Sequence, residues 1–132
     1  MHELSIAIRL VEVAAEHARS EGNSRVAAVT VAVGALACVH EDALQAAFEA
    51  ARVGTPLAGA ELRIRHVPVR VWCPACTAEH DLAGLVPLAC PACGTPTGDI
   101  RGGTELDLES LDVVAADDTV TAESVPAGTT AP

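Results

Sequence analysis

Between Leu4 and Glu21 the apolar residues Leu4, Ile8, Val11, Ala15 and Ala18 recur at three- and four-residue spacing. Arg9, Glu12, Glu16, Arg19 and Ser20 fall on the other side, so the segment reads as an amphipathic helix. Gly22-Asn23-Ser24 ends it with helix-stop chemistry. Arg25 to Gly34 is rich in β-branched residues and predicts a strand. Glu41 to Arg52 returns to helical spacing, with Leu44, Ala47, Phe48 and Ala51 on one face, and Gly54-Thr55-Pro56 breaks it. Glu61 to Trp72 alternates like a strand whose apolar face switches near Pro68, at a bulge or an edge position. Glu105 to Val114, with Leu106, Leu108 and Leu111, predicts a last strand. The order predicts an α+β fold: two helices packed on a small β-sheet, with an inserted zinc-ribbon-like module. Beyond Ala115 the chain is Ala, Asp, Thr, Ser, Pro and Gly without periodicity, which predicts a disordered tail over 115–132.

The inserted module is the densest chemistry in the chain. Cys73-Pro74-Ala75-Cys76 and Cys90-Pro91-Ala92-Cys93-Gly94 are separated by 13 residues, Thr77 to Ala89. Two residues between cysteines let both sulfurs of a tight turn reach one ion, and two such turns supply the four thiolates that structural zinc prefers. Cys73, Cys76, Cys90 and Cys93 are therefore the expected zinc ligands. The alternative, a pair of redox dithiols or disulfides, suits a lone pair of cysteines better than two pairs at this spacing. Four sulfurs leave no open position for water, so the expected zinc is structural. Gly94 permits the dihedrals such a turn needs just past its second cysteine.

Composition narrows the rest. The 132 residues suit one domain with a small added module. Trp72 and Phe48 are the only aromatics, so the core must be built from Ala, Val and Leu, and a metal cross-link would support so thin a core. Eighteen acidic residues face eight arginines and no lysine, for a net charge of −10. A nucleic-acid partner is disfavoured, because phosphate affinity needs a basic surface. No apolar run reaches the length of a membrane span, and no signal-peptide pattern opens the chain, so the cytoplasm is the expected location. No nucleophile–base pairing or phosphate-binding glycine loop is visible, and an enzyme is not expected.

Met1-His2-Glu3 adds a second metal possibility. A free α-amine, the His2 backbone nitrogen and a His2 ring nitrogen can take adjacent corners of a square plane, which suits Ni(II) or Cu(II), and Glu3 is close enough to add or orient a ligand. On local sequence alone, an exposed His2 without a role is the plainer reading. Of the remaining candidates, Cys38 reads as a small buried residue and His17 as a solvated one. His66 belongs on the polar side of its strand, and His80, between the cysteine pairs, could approach the zinc from outside the thiolates.

Across roughly Met1 to Val114 the chain resembles the HypA/HybF family of hydrogenase nickel-incorporation proteins. The resemblance is carried by the opening MHELSIA, the VAVGAL stretch with Gly34, the EDALQAAFEAARVGTPLAGAEL segment, the paired CPAC motifs and the late GGTELDLESLDV stretch. Cys38 and His40 depart from the family's usual residues without touching its metal motifs. The resemblance implies a nickel metallochaperone that binds Ni(II) and helps deliver it to [NiFe]-hydrogenase, with a structural Zn(II) site. It implies nickel ligands at Met1 (through its amine), His2 and Glu3, and zinc ligands at the four cysteines. It further implies a discontinuous nickel-binding domain over 1–69 and 100–114 and a zinc module over 70–99. The implied partners are the accessory GTPase HypB and the hydrogenase large subunit, with urease maturation a variant in some relatives. The reading from another class is a zinc-ribbon protein-interaction module without nickel transfer.

Overall fold

Helix α1 runs from His2 to Ser20 in the computed structural model, two residues ahead of the predicted start. The structure describes residues 2–22, 25–85, 87–115 and 119–125. After α1 come β1 (Arg25–Gly34), α2 (Glu41–Ala51), β2 (Glu61–Val67), β3 (Arg70–Cys73) and β4 (Ala78–Asp81). They are followed by β5 (Ile100–Gly102), β6 (Leu106–Val114) and β7 (Val120–Ser124). The fold is α+β with two sheets, one ordered β2-β1-β6-β7 and one ordered β4-β3-β5.

Two compact units divide the chain. The first holds α1, most of β1, α2, most of β2, and β6 with β7. At the start of β1 the Val26 N–H donates to Pro56 ahead of β2, and just past its end the Ala35 N–H donates to Val67. Those bonds at matching ends make β1 and β2 parallel, joined through α2 as a crossover. The buried face of α1 is Ile6, Ala7, Leu10, Val11, Ala14, Ala15 and Ala18. Four of those seven are alanines, which let another element approach the helix axis closely, and α1 packs against α2. The predicted stripe was rotated: Leu4 and Ile8 are 48% and 43% exposed. More apolar positions occur along α1 than one stripe can hold, and the small ones face inward. Leu44 and Phe48 of α2 are fully buried, with Leu10, Val29, Leu111 and Val113, in a core of mostly branched aliphatics.

Gly22, at φ +75°, ends α1 as predicted, with its N–H on the Arg19 carbonyl. The stretch predicted as one strand from Glu61 to Trp72 divides at Pro68 into β2 and β3, where the buried side passes from Leu62 to Val69 and Val71. Residues 115–132 were expected to lack structure, yet β7 forms at Val120–Ser124, pairing antiparallel with β6 from Ser110↔Ser124 to Val114↔Val120. Its residues are mostly exposed, so no apolar alternation announced it, and backbone pairing to β6 defines it instead. The rest of that predicted tail, 116–118 and 126–132, lies outside the described residues.

The second unit comprises Ala32–Cys38 and His66–Leu106, a wider piece than the predicted module over 70–99. It is wider because three backbone segments converge on two glycines. The Gly34 N–H donates to Glu105 and the Leu36 N–H to Gly103, both at 2.7 Å. A Cβ on Gly34 would lie 2.1 Å from the Gly103 carbonyl oxygen. Gly103 itself sits at φ +107°, against Val69. Gly34→Ala therefore costs about 3 kcal/mol, as overpacking of an immovable backbone, and thermal unfolding measures it. Cys38 was read as buried; it is exposed, in a left-handed turn at φ 57°. It follows the Gly34–Ala37 turn, which leaves its side chain outside.

Candidate metal centres

Both cysteine pairs lie at the tips of short β structures. β3 and β4 form a hairpin with Cys73 opposite Ala78, so Cys73 and Cys76 bracket its turn. The Cys76 N–H points at Cys73 Sγ from 3.4 Å, and Thr77 closes the turn at φ 51°. The second pair is built alike. Gly94 donates to the Cys90 carbonyl at 2.8 Å, Cys90 donates to Thr95 at 2.8 Å, and Ala89 bridges Pro96. Gly94, at φ +77°, stands where Thr77 stands in the first turn, as the sequence anticipated for a glycine past the second cysteine. Thr97, nearly buried, ties this loop to β3 by donating from its hydroxyl to the Trp72 carbonyl at 2.7 Å. The Arg101 guanidinium covers the Trp72 ring at 5.3 Å, and a pair to Asp99 at 2.7 Å holds it there.

The two turns bring the sulfurs of Cys73, Cys76, Cys90 and Cys93 within 4.8 Å of one another, an arrangement that can hold one metal ion. Sγ of Cys73 lies 3.6 Å from that of Cys93, and Cys76 lies 3.8 Å from Cys90. Without a cation the four thiols share protons. Hydrogen bonds with Cys93, Cys73 and Cys90 push Cys76 up to about 12, while the Thr95 hydroxyl, 3.1 Å from Cys93, brings that thiol down to about 6. Four crowded sulfurs cannot all ionise alone, and a dication removes that obstacle. Cys73 and Cys90 are buried and Cys93 is exposed. His80 lies on β4 opposite Val71 and is outside this cluster; its Nε2 is buried with no hydrogen-bond partner among the described residues.

A family profile described as hydrogenase/urease nickel incorporation, metallochaperone, hypA matches residues 1–113. The chain belongs to the HypA family. The hydrogenase maturation factor HypA of Chloroflexus aurantiacus is 49% identical over 112 residues, covering 85% of this chain and 98% of the relative. That of Deinococcus radiodurans is 45% identical over 111 residues, covering 82% and 89%. In structure the chain is similar to the Ni metallochaperone HypA from Helicobacter pylori, solved in solution, with a TM-score of 0.63 at 27% identity. That match covers 87% of this chain and 99% of the other. The HypA family is one of maturation factors rather than catalysts, and among the described residues no helix is long and apolar enough to cross a membrane.

Of the family's N-terminal residues, Met1 lies outside the described set. His2 is exposed at the first position of α1, and Glu3 follows it in the first turn. The Glu3 carboxylate accepts the His40 N–H at 3.4 Å, and that bond holds Glu3 below the usual carboxylate range. His40 also caps α2, its Nδ1 accepting the Ala43 N–H at 3.1 Å. One residue thus begins the second helix and anchors the first turn of α1. The sequence signal for this role is the place of His40 directly before Glu41-Asp42, where a capping side chain is expected.

Proposed function

We propose that the chain is a nickel metallochaperone: it binds one Ni(II) at Met1, His2 and Glu3, and one Zn(II) at Cys73, Cys76, Cys90 and Cys93. The observation that carries this reading is a family match that begins at residue 1, joined to a four-sulfur cluster. Four thiolates match the donor set of structural zinc, a closed site that holds its ion and does no chemistry on it. Amine, imidazole and carboxylate at an open helix start make a borderline, nitrogen-rich site that suits nickel and exchanges readily. The first N–H groups of a helix have no partner within it, so the His2 backbone nitrogen is available to a metal. The positive end of the helix opposes a bound cation. That restrains nickel affinity, a useful property in a carrier. Amine and imidazole must shed protons to bind, so affinity falls on acidification.

The recipient in this reading is the large subunit of a [NiFe]-hydrogenase, with HypB as the accessory GTPase, inside the cytoplasm. The name hydrogenase maturation factor, which the relatives bear, supports that choice. The test is the nickel content of the untagged chain after equilibrium dialysis. One nickel per chain that is lost in His2→Ala, beside one zinc that is kept, supports the proposal; nickel content unchanged by His2→Ala, or zinc without nickel, leaves a zinc-ribbon interaction module.

A further inference from the structure

His17, expected to be solvated, has neighbours in the structure. His17, Glu21 and Glu123 each offer a ligand atom, and these atoms lie within 4.8 Å of one another. The His17 side chain is 20% exposed and that of Glu123 26%, with Nε2 and Oε1 3.1 Å apart. Two elements build the group. Glu21 follows the last turn of α1, and its N–H bonds to the His17 carbonyl at 3.1 Å. That bond extends the helical spacing, so residues 17 and 21 share one side. Glu123 arrives on β7 opposite Leu111, which is fully buried. Cross-strand partners share a sheet face, so Glu123 points to the face whose side chains are covered.

We propose that His17, Glu21 and Glu123 form a second metal site, for a divalent first-row transition ion with water in its open positions. One imidazole and two carboxylates are a borderline donor set that suits such ions. Charge balance points the same way. Even a protonated His17 leaves one negative charge of the two carboxylates unbalanced, and neither is bonded to an arginine among the described residues. The orphan carbonyls at the end of α1 add further negative potential. Adjacent ligands around an ion with bonds of ~2.1 Å lie ~3 to 3.5 Å apart, so modest side-chain rotation converts the present spacing into coordination. Glu123 lies beyond residues 1–113, the span of the family match, so the site depends on a strand that the matched span does not include.

The experiment is calorimetric titration of the full, zinc-loaded chain carrying His2→Ala with Ni2+ and, separately, Zn2+. Removing His2 keeps the N-terminal site out of the reading, so this test stands or falls apart from the proposed function. One further ion per chain is expected, with affinity falling about tenfold or more in added His17→Gln and in added Glu123→Gln. A second reading uses the unaltered chain: Co2+ should broaden the His17 imidazole NMR signals. Uptake of no further ion, equal binding by the glutamine variants, or unbroadened His17 signals would overturn the site and leave His17–Glu123 as a plain contact between α1 and β7.

Discussion

Cys90→Ser empties the cysteine cluster and unfolds the second unit while the helices survive. Cys90 is buried, and its sulfur stands 3.8 Å from Cys76 at the meeting of the two turns. Serine offers a harder, poorly ionised donor there, and three thiolates hold zinc far less well than four. Zinc binding in such modules is worth about 10 to 16 kcal/mol, most of it realised as folding energy. The apolar cluster around Val69, Val71 and Leu82, with Leu36 against it, is too small to replace that. The first unit keeps its own core of Leu10, Leu44, Phe48 and Leu111. Expected, then, are loss of zinc from one per chain to near none, and loss of amide protection in β3, β4 and β5. The helical circular dichroism should persist. Protected β3–β5 amides in a zinc-free variant would show that the module folds without its metal.

His2→Ala has the opposite profile. His2 is exposed at the start of α1, so the substitution disturbs no packing and stability should stay within about 0.5 kcal/mol. Alanine is also an excellent helix former. The change removes the imidazole but leaves the amine, the backbone nitrogens and Glu3. Loss of the ring breaks the chelate, and nickel affinity should fall by about a hundredfold or more, judged against the 10- to 100-fold cost of losing an outer-shell partner alone. Zinc content should not change, because the cysteines are supplied by other turns. Equal nickel uptake by both proteins would remove His2 from the site. Zinc loss in the variant would mean that the two metals are not independently held.

The residues explain what could be read ahead and what could not. β1 and α2 were legible because Val26 to Val33 and Leu44 to Phe48 carry strong local signals, and the fold follows both. The switch of apolar face near Pro68 was legible, because proline cannot donate to a ladder, but the division there into two strands was not. Paired CPAC motifs put their own sulfurs in order, since the chemistry of each turn is local. β4, β5 and β7 were not legible. Ala78–Asp81 and Val120–Ser124 are short and polar, and backbone pairing with the preceding strands β3 and β6, rather than any apolar alternation of their own, makes them strands. The burial of α1 was misjudged because Ala7 and Ala14 compete with Leu4 and Ile8 for the inner face, and only packing decides between them. The hold of His40 on Glu3 and the pairing of His17 with Glu123 join residues 37 and 106 positions apart. No window of sequence contains such pairs.

Whether the chain hands nickel to a hydrogenase is decided by a transfer experiment. The chain is loaded with radioactive nickel and mixed with nickel-free hydrogenase large subunit and HypB, in the presence of a chelator that traps any free ion. Nickel is expected to reach the large subunit despite the trap, and the His2→Ala chain to deliver none. Nickel found wholly in the chelator, at the same rate for both chains, would contradict delivery and leave a zinc-bearing interaction module.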